Sequence, residues 1–273
     1  MKNLIGVMQG RLLPKYQGRY QAHPVGSWQK EFSIAKKIGL ECIEFILDFN
    51  EIELNPLVCD GGISEIQRTI NETGVQVKTI CGDYFMEQPL HSTDHEVAKR
   101  SLATLRKLLT TAEQLSVTDI VIPCVDQSSL NGEEDKRRFF SVIQSVMEDV
   151  ENKGINLSLE MDLPPKPFKN LLDKFQSENI TVNYDIGNSA SLGFDPVAEL
   201  DSYGDLISDI HIKDRVLGGG SVVLGQGDAD FDRFFDKLTE FDYSGPFIMQ
   251  AYRDDEGISV FKKQLDWVSK YFG

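Results

Sequence analysis

The chain reads as a (β/α)8 TIM-type barrel, and three observations predict it. Eight short apolar runs have strand length, each interval between them holds a segment of helical periodicity, and no Gly-x-Gly-x-x-Gly turn follows the first strand. That turn would have marked an open doubly wound sheet; here the first strand runs into Gln9-Gly10-Arg11-Leu12 instead. At 273 residues, 41% hydrophobic and 26% charged, the sequence has the size and composition of one such domain, and no linker or low-complexity tract divides residues 1–273.

The strand runs fall at residues 4–9, 42–47, 75–81 and 119–125, then at 155–160, 180–185, 207–212 and 247–251. Helical periodicity covers residues 28–38, 63–72, 95–115 and 133–152, then 167–176, 196–203, 231–241 and 257–271. Start and stop residues frame several of these helices: Ser92-Thr93-Asp94 precedes the third, Pro196 heads the sixth, and Gly39 and Gly74 follow the first two.

Composition excludes several roles. A formal charge of −15, with no basic block to interrupt it, repels a phosphodiester backbone, so nucleic acid is not an expected partner. The first residues lack the apolar core of a signal peptide, and no run approaches the roughly 18 apolar residues of a membrane span, so a cytoplasmic protein with no membrane contact is expected. Cys42, Cys59, Cys81 and Cys124 form no Cys-x-x-Cys pair, and three of them sit in strand runs, which predicts reduced core thiols.

Side chains alternate along a strand, so one parity of each barrel strand faces the interior, and the chemistry of such barrels sits at the carboxyl ends. In the fifth strand Ile155, Leu157 and Leu159 share one parity, leaving Asn156, Ser158 and Glu160 inside. The same rule turns Asp185 inward at the tip of the sixth strand, His211 and Lys213 on the seventh and Gln250 on the eighth. It also turns Glu44 inward on the second strand, and the turn after the first offers Gln9 and Arg11. Four neighbouring tips bearing Glu160, Asp185, His211 and Gln250 are costly to bury without a ligand, and their oxygen and imidazole atoms suit one divalent ion such as Mn²⁺, Zn²⁺ or Mg²⁺.

The segments Asn156-Leu-Ser-Leu-Glu160, Val182-Asn-Tyr-Asp-Ile-Gly-Asn188, Asp209-Ile-His-Ile-Lys-Asp-Arg215 and Leu224-Gly-Gln-Gly227, with Gly6-Val-Met-Gln-Gly-Arg-Leu12, resemble the xylose isomerase-like superfamily of sugar and sugar-phosphate isomerases and epimerases. The resemblance spans essentially the whole chain. It implies a metal held by Glu160, Asp185, His211 and the residue at position 250, with Glu160 also transferring a proton. The family has a second glutamate where this chain has Gln250, and many of its epimerases have a histidine where this chain has Asn188. Glutamine keeps a ligand oxygen but cannot take a proton, which weakens the expectation of epimerisation by two bases. The resemblance further implies substrate contacts from Arg215, with Lys213 nearby and Asn188 able to bond a hydroxyl.

The expected activity is therefore a metal-assisted isomerase or epimerase acting on a small sugar, sugar phosphate or sugar acid. Gln9, Arg11, Glu44, Asn188, Lys213 and Arg215 are the expected substrate contacts. The glycines after the seventh strand leave room for an anionic substrate, and homodimers are common in the resembled family. Two alternatives stay open: a metal-dependent sugar or polyol dehydratase, which needs only one base, and a non-catalytic ligand-binding barrel in which Gln250 marks a degenerate metal site.

Overall fold

Apolar parity closes the sheet on itself. In a computed structural model describing residues 3–272, eight parallel strands form one barrel: β1 (Ile5–Met8), β2 (Cys42–Ile46), β3 (Gln76–Cys81), β4 (Asp119–Cys124), β5 (Asn156–Met161), β6 (Ile180–Asp185), β7 (Ile207–Ile212) and β8 (Phe247–Met249). Neighbours in the barrel are neighbours in sequence, and β8 closes it against β1, with Gly6 opposite Ile248. Register brings the tips of β6 and β7 level, since Asp185 lies opposite His211.

The outward parity packs under the helices. Val77, Ile120, Leu157, Leu159 and Ile210 are buried against Phe32, Leu108, Phe139, Leu200 and Phe234, which are buried on the helices around them. The inward parity is divided. Met8, Cys42, Ile46, Cys81 and Ile248 fill one side of the interior with apolar atoms, while Asp119, Ser158, Thr181, Asn183, Asp209 and His211 make the other side polar and equally buried. All four cysteines are free thiols. Among the described residues no helix is long and apolar enough to cross a membrane.

Local chemistry sets the helix ends. Asp94 accepts the N–H groups of Glu96 (2.8 Å) and Val97 (3.3 Å) to start the helix His95–Leu115, and Asp195 caps Pro196–Tyr203. The interval 133–152, expected as one helix, is two: Glu133–Gln144 and Met147–Lys153. Val146 leaves helical geometry at φ −117° and is buried, and Ser145 Oγ turns back to the Val142 carbonyl at 2.7 Å. A further helix, Ile186–Leu192, starts directly at the end of β6, and a short hairpin pairs Asp214–Arg215 with Ser221–Val222 after β7.

Glu31, on the helix Gln29–Lys37, fixes the turn after β1. Its fully buried carboxylate accepts the N–H of Gly10 at 2.8 Å and that of Leu12 at 3.1 Å. Arg253 clamps the same turn by donating to the carbonyls of Gly10 and Leu13. Removing the carboxylate orphans two buried donors, so Glu31→Ala should cost about 2–4 kcal/mol and Glu31→Gln, which keeps an acceptor, clearly less. Urea unfolding of the two variants checks this; equal losses would mean that the acceptor is not what matters.

Candidate functional site

Three strand tips converge where the parity rule placed them. Glu160, Asp185 and His211 each offer a ligand atom, all lying within 4.8 Å of one another, and all three residues are buried. Asp185 does two jobs. Its Oδ1 caps the helix Ile186–Leu192 by accepting the Asn188 N–H at 2.8 Å, which leaves Oδ2 turned toward the cluster.

His211 is held between two carboxylate layers. Below it, Glu44 Oε1 is 3.0 Å from Nε2 and Asp209 Oδ2 is 3.7 Å away; above it, Asp185 Oδ2 is 3.8 Å from Nδ1. The carboxylates beneath place a proton on Nε2 and so leave Nδ1 as the nitrogen facing the upper cluster. Asn183 Nδ2 lies close to both ring nitrogens, 3.1 Å from Nδ1 and 3.3 Å from Nε2.

Burial and charge then divide the carboxyl groups. Burial, with Asp185 beside it, raises Glu160 to about 7. Burial opposes ionisation of Asp185 as well, but Lys213 and His211 outweigh it and hold that group at about 2. Burial, followed by the Glu44 charge, pushes Asp209 well above the usual carboxylate range, while at Glu44 burial is outweighed by His211, which draws that group down. Burial lowers the proton affinity of His211, but Glu44 above all overcomes it and holds the imidazole well above its ordinary value.

Around this cluster the structure gathers Asn188, Lys213, Arg215 and Gln250. Lys213 Nζ donates to Asp185 Oδ2 at 3.2 Å and to Gln250 Oε1 at 2.9 Å. Asn188 Nδ2 donates to Glu160 Oε1, while Asn188 Oδ1 accepts from Arg215 Nη1 at 2.7 Å and Arg215 Nε is tied to the Gly219 carbonyl at 2.9 Å. Gly187 permits this crowding, because a Cβ there would stand 2.7 Å from Lys213 Cγ and 3.0 Å from its carbonyl carbon.

Three expected substrate contacts lie elsewhere. Glu44 is wholly buried beneath the imidazole. Arg11 is also buried, and its donors go to the Ala251 carbonyl (3.2 Å), the Tyr20 carbonyl (3.2 Å) and Gln21 Oε1 (2.8 Å), so it fixes a loop. Gln9 Oε1 takes the protons of His23 Nδ1 (2.9 Å) and the Ile46 N–H (3.2 Å). The glycine-rich stretch after β7 carries its own anion: Asp214 accepts the N–H groups of Gly225 (2.9 Å), Gly227 (2.9 Å) and Ala229 (3.2 Å). A substrate phosphate would find those donors already taken.

Sequence reasoning passed over Asp83 and Gln21. Gln21 Nε2 donates to both Asp83 oxygens, at 2.9 and 2.7 Å, and its Oε1 lies 3.4 Å from Gln250 Nε2, which joins this pair to the cluster. Asp83 follows β3 by two residues, so the strand-tip rule applied to β5 through β8 would have found it; Gln21 lies in a loop without periodicity. A separate cavity of about 510 Å³ opens at the opposite, amino-terminal face beside Asp119, Asn156 and Ser208. That face of such barrels serves stability.

A closed parallel barrel with carboxylates and an imidazole converging at its carboxyl face has its polar cluster where barrels of this class place their ligand sites. Within that class, the chain belongs to the xylose isomerase-like TIM barrel family, whose model matches residues 32–271. It is 27% identical over 266 residues to L-ribulose-5-phosphate 3-epimerase of Escherichia coli strain SMS-3-5, with 91% of each chain covered. Among solved structures, L-ribulose 3-epimerase superposes with a TM-score of 0.77 at 17% identity over 99% of this chain and 94% of that one. The IOLI protein with a bound zinc atom does so with a TM-score of 0.77 at 18% identity over 100% of both.

His23, bonded to Gln9 and packed beside Phe45, gives the barrel a pH signature. Burial lowers its pKa from 6.5 to about 4, and its Nε2 has no partner among the described residues. The unfolded chain therefore takes the proton first: the contribution is complete above pH 6.5 and is lost as pH falls toward 4. Between pH 8 and pH 5 the loss through this group should be about 2 kcal/mol. Denaturant unfolding of wild type and His23→Gln at both pH values measures it, and an identical pH dependence of the two proteins would contradict the assignment.

Proposed function

We propose that this chain is a divalent-metal-assisted isomerase or epimerase of a small sugar, sugar phosphate or sugar acid, which moves a proton on a carbon beside a carbonyl. The observation that carries the reading is the buried convergence of Glu160, Asp185 and His211 at the carboxyl face of the barrel. The names of relatives similar to the chain, L-ribulose-5-phosphate 3-epimerase and L-ribulose 3-epimerase, support the substrate class.

The donor set fits a single divalent ion. Asp185 keeps Oδ2 for it because the helix cap takes Oδ1, and His211 keeps Nδ1 because Glu44 holds Nε2. Glu160 and the Gln250 amide oxygen complete a set of three oxygens and one nitrogen, which suits Mn²⁺ or Zn²⁺ better than Mg²⁺. When bound, the ion supplies a Lewis acid for the oxygens of the substrate.

Glu160 is the proton carrier in this proposal. Burial and Asp185 raise its pKa to about 7 without an ion; beside a bound divalent ion it would fall, which favours the carboxylate, the form that takes a proton. Asn188, itself anchored by Arg215, donates to Glu160 Oε1 and so fixes the orientation of the carboxyl group. Gln250 cannot serve as a second base. That favours a proton shift between adjacent carbons on one face of the sugar, or elimination of water, over epimerisation by two glutamates.

Incubating the protein with Mn²⁺ and a panel of pentuloses, hexuloses and their phosphates in D₂O, followed by NMR, tests the proposal. Deuterium should enter at the carbon beside the carbonyl, and Glu160→Gln should slow that exchange by about 10²–10⁴-fold. Saturable sugar binding with no exchange and no turnover would instead support a non-catalytic binding barrel.

A further inference from the structure

We propose that the Lys213 ammonium is a built-in competitor for the divalent ion, so that ammonium and ion hold the ligand cluster by turns. The inference rests on the metal reading above and adds to it a residue that sets how tightly the ion is held.

Lys213 Nζ is bonded to two of the four candidate ligand atoms, Asp185 Oδ2 at 3.2 Å and Gln250 Oε1 at 2.9 Å. Neither ligand has an easy substitute. The other Asp185 oxygen caps the helix Ile186–Leu192, and the other end of the Gln250 amide lies against Met8 Sδ (3.2 Å) and Gln21 Oε1 (3.4 Å). An ion about 2.1 Å from those same oxygens would sit at most about 5 Å from the ammonium if the lysine stayed in place. Two like charges that close, in a site this buried, repel strongly.

Charge points the same way. Glu160 and Asp185, when ionised, contribute two negative charges, Lys213 removes one, His211 and Glu44 beneath it offset each other, and Gln250 is neutral where a carboxylate would have added another. The cluster thus faces a doubly charged ion with a single net charge. Displacement is mechanically simple. The Lys213 stem is fixed where it crosses Gly187, but the ammonium ends a flexible four-carbon chain and can turn away while the strand stays still. Occupancy by the ion then frees the amine, 14% exposed where it now lies, for contact with the substrate.

Calorimetric titration of chelator-stripped wild type, Lys213→Met and Asp185→Asn with MnCl₂ tests this, alongside reductive methylation of Lys213 in wild type followed by mass spectrometry. Breaking two charge-assisted hydrogen bonds should weaken wild-type binding, so Lys213→Met should bind one Mn²⁺ at least about tenfold more tightly, and Asp185→Asn should bind little. Methylation of Lys213 in wild type should accelerate severalfold once Mn²⁺ is added. One Mn²⁺ bound equally tightly by wild type and Lys213→Met, with unchanged methylation, would overturn the competition and leave the metal site standing. No Mn²⁺ bound by either protein would overturn the metal reading and this inference together. Binding by Lys213→Met alone would be its strongest confirmation.

Discussion

The imidazole of His211 lies between carboxylates, with Glu44 and Asp209 beneath it and Asp185 and Glu160 above, and the rest of the carboxyl face is arranged around that sandwich. With Glu44 against Nε2, Nδ1 is the nitrogen on the side of the upper carboxylates. Because β6 and β7 are in register at Asp185 and His211, that nitrogen faces an oxygen already positioned by a helix cap. The barrel thus turns an ordinary strand pairing into a preorganised group of ligands.

Several buried acids in one small volume create an electrostatic problem, and the structure meets it in three ways. Burial and the Glu44 charge push Asp209 toward its neutral form. Glu160 is raised to the middle of the physiological range. Lys213 places a positive charge directly on Asp185. Each device lowers the net negative charge that has to be buried.

Much of this was legible in the sequence, because strand parity is a strong constraint wherever one face is apolar. Leu157 and Leu159 facing outward oblige Glu160 to face inward, and the same reasoning fixes Asp185 and His211. Parity gives direction but not height along the barrel, which is why Glu44 was expected in the pocket and lies under the imidazole. Arg11 was misjudged for another reason: a loop arginine carries no sign of whether its donors go to substrate or to main-chain carbonyls. The glycines at 225 and 227 were read as room for an anionic substrate, whereas the anion their donors hold is Asp214, whose approach needs the bare Cα of Gly227, where a Cβ would stand 2.2 Å from Asp214 Oδ1. The break at Val146 was hidden because apolar spacing runs on through both helices.

The central claim is that Glu160, Asp185 and His211 together hold a metal ion, and elemental analysis of protein purified without chelator tests it most directly. Close to one equivalent of Mn²⁺, Zn²⁺ or Mg²⁺ in wild type, lost in a folded His211→Ala variant, is the predicted result. Wild type free of metal even after growth and purification with added Mn²⁺ and Zn²⁺ would contradict it.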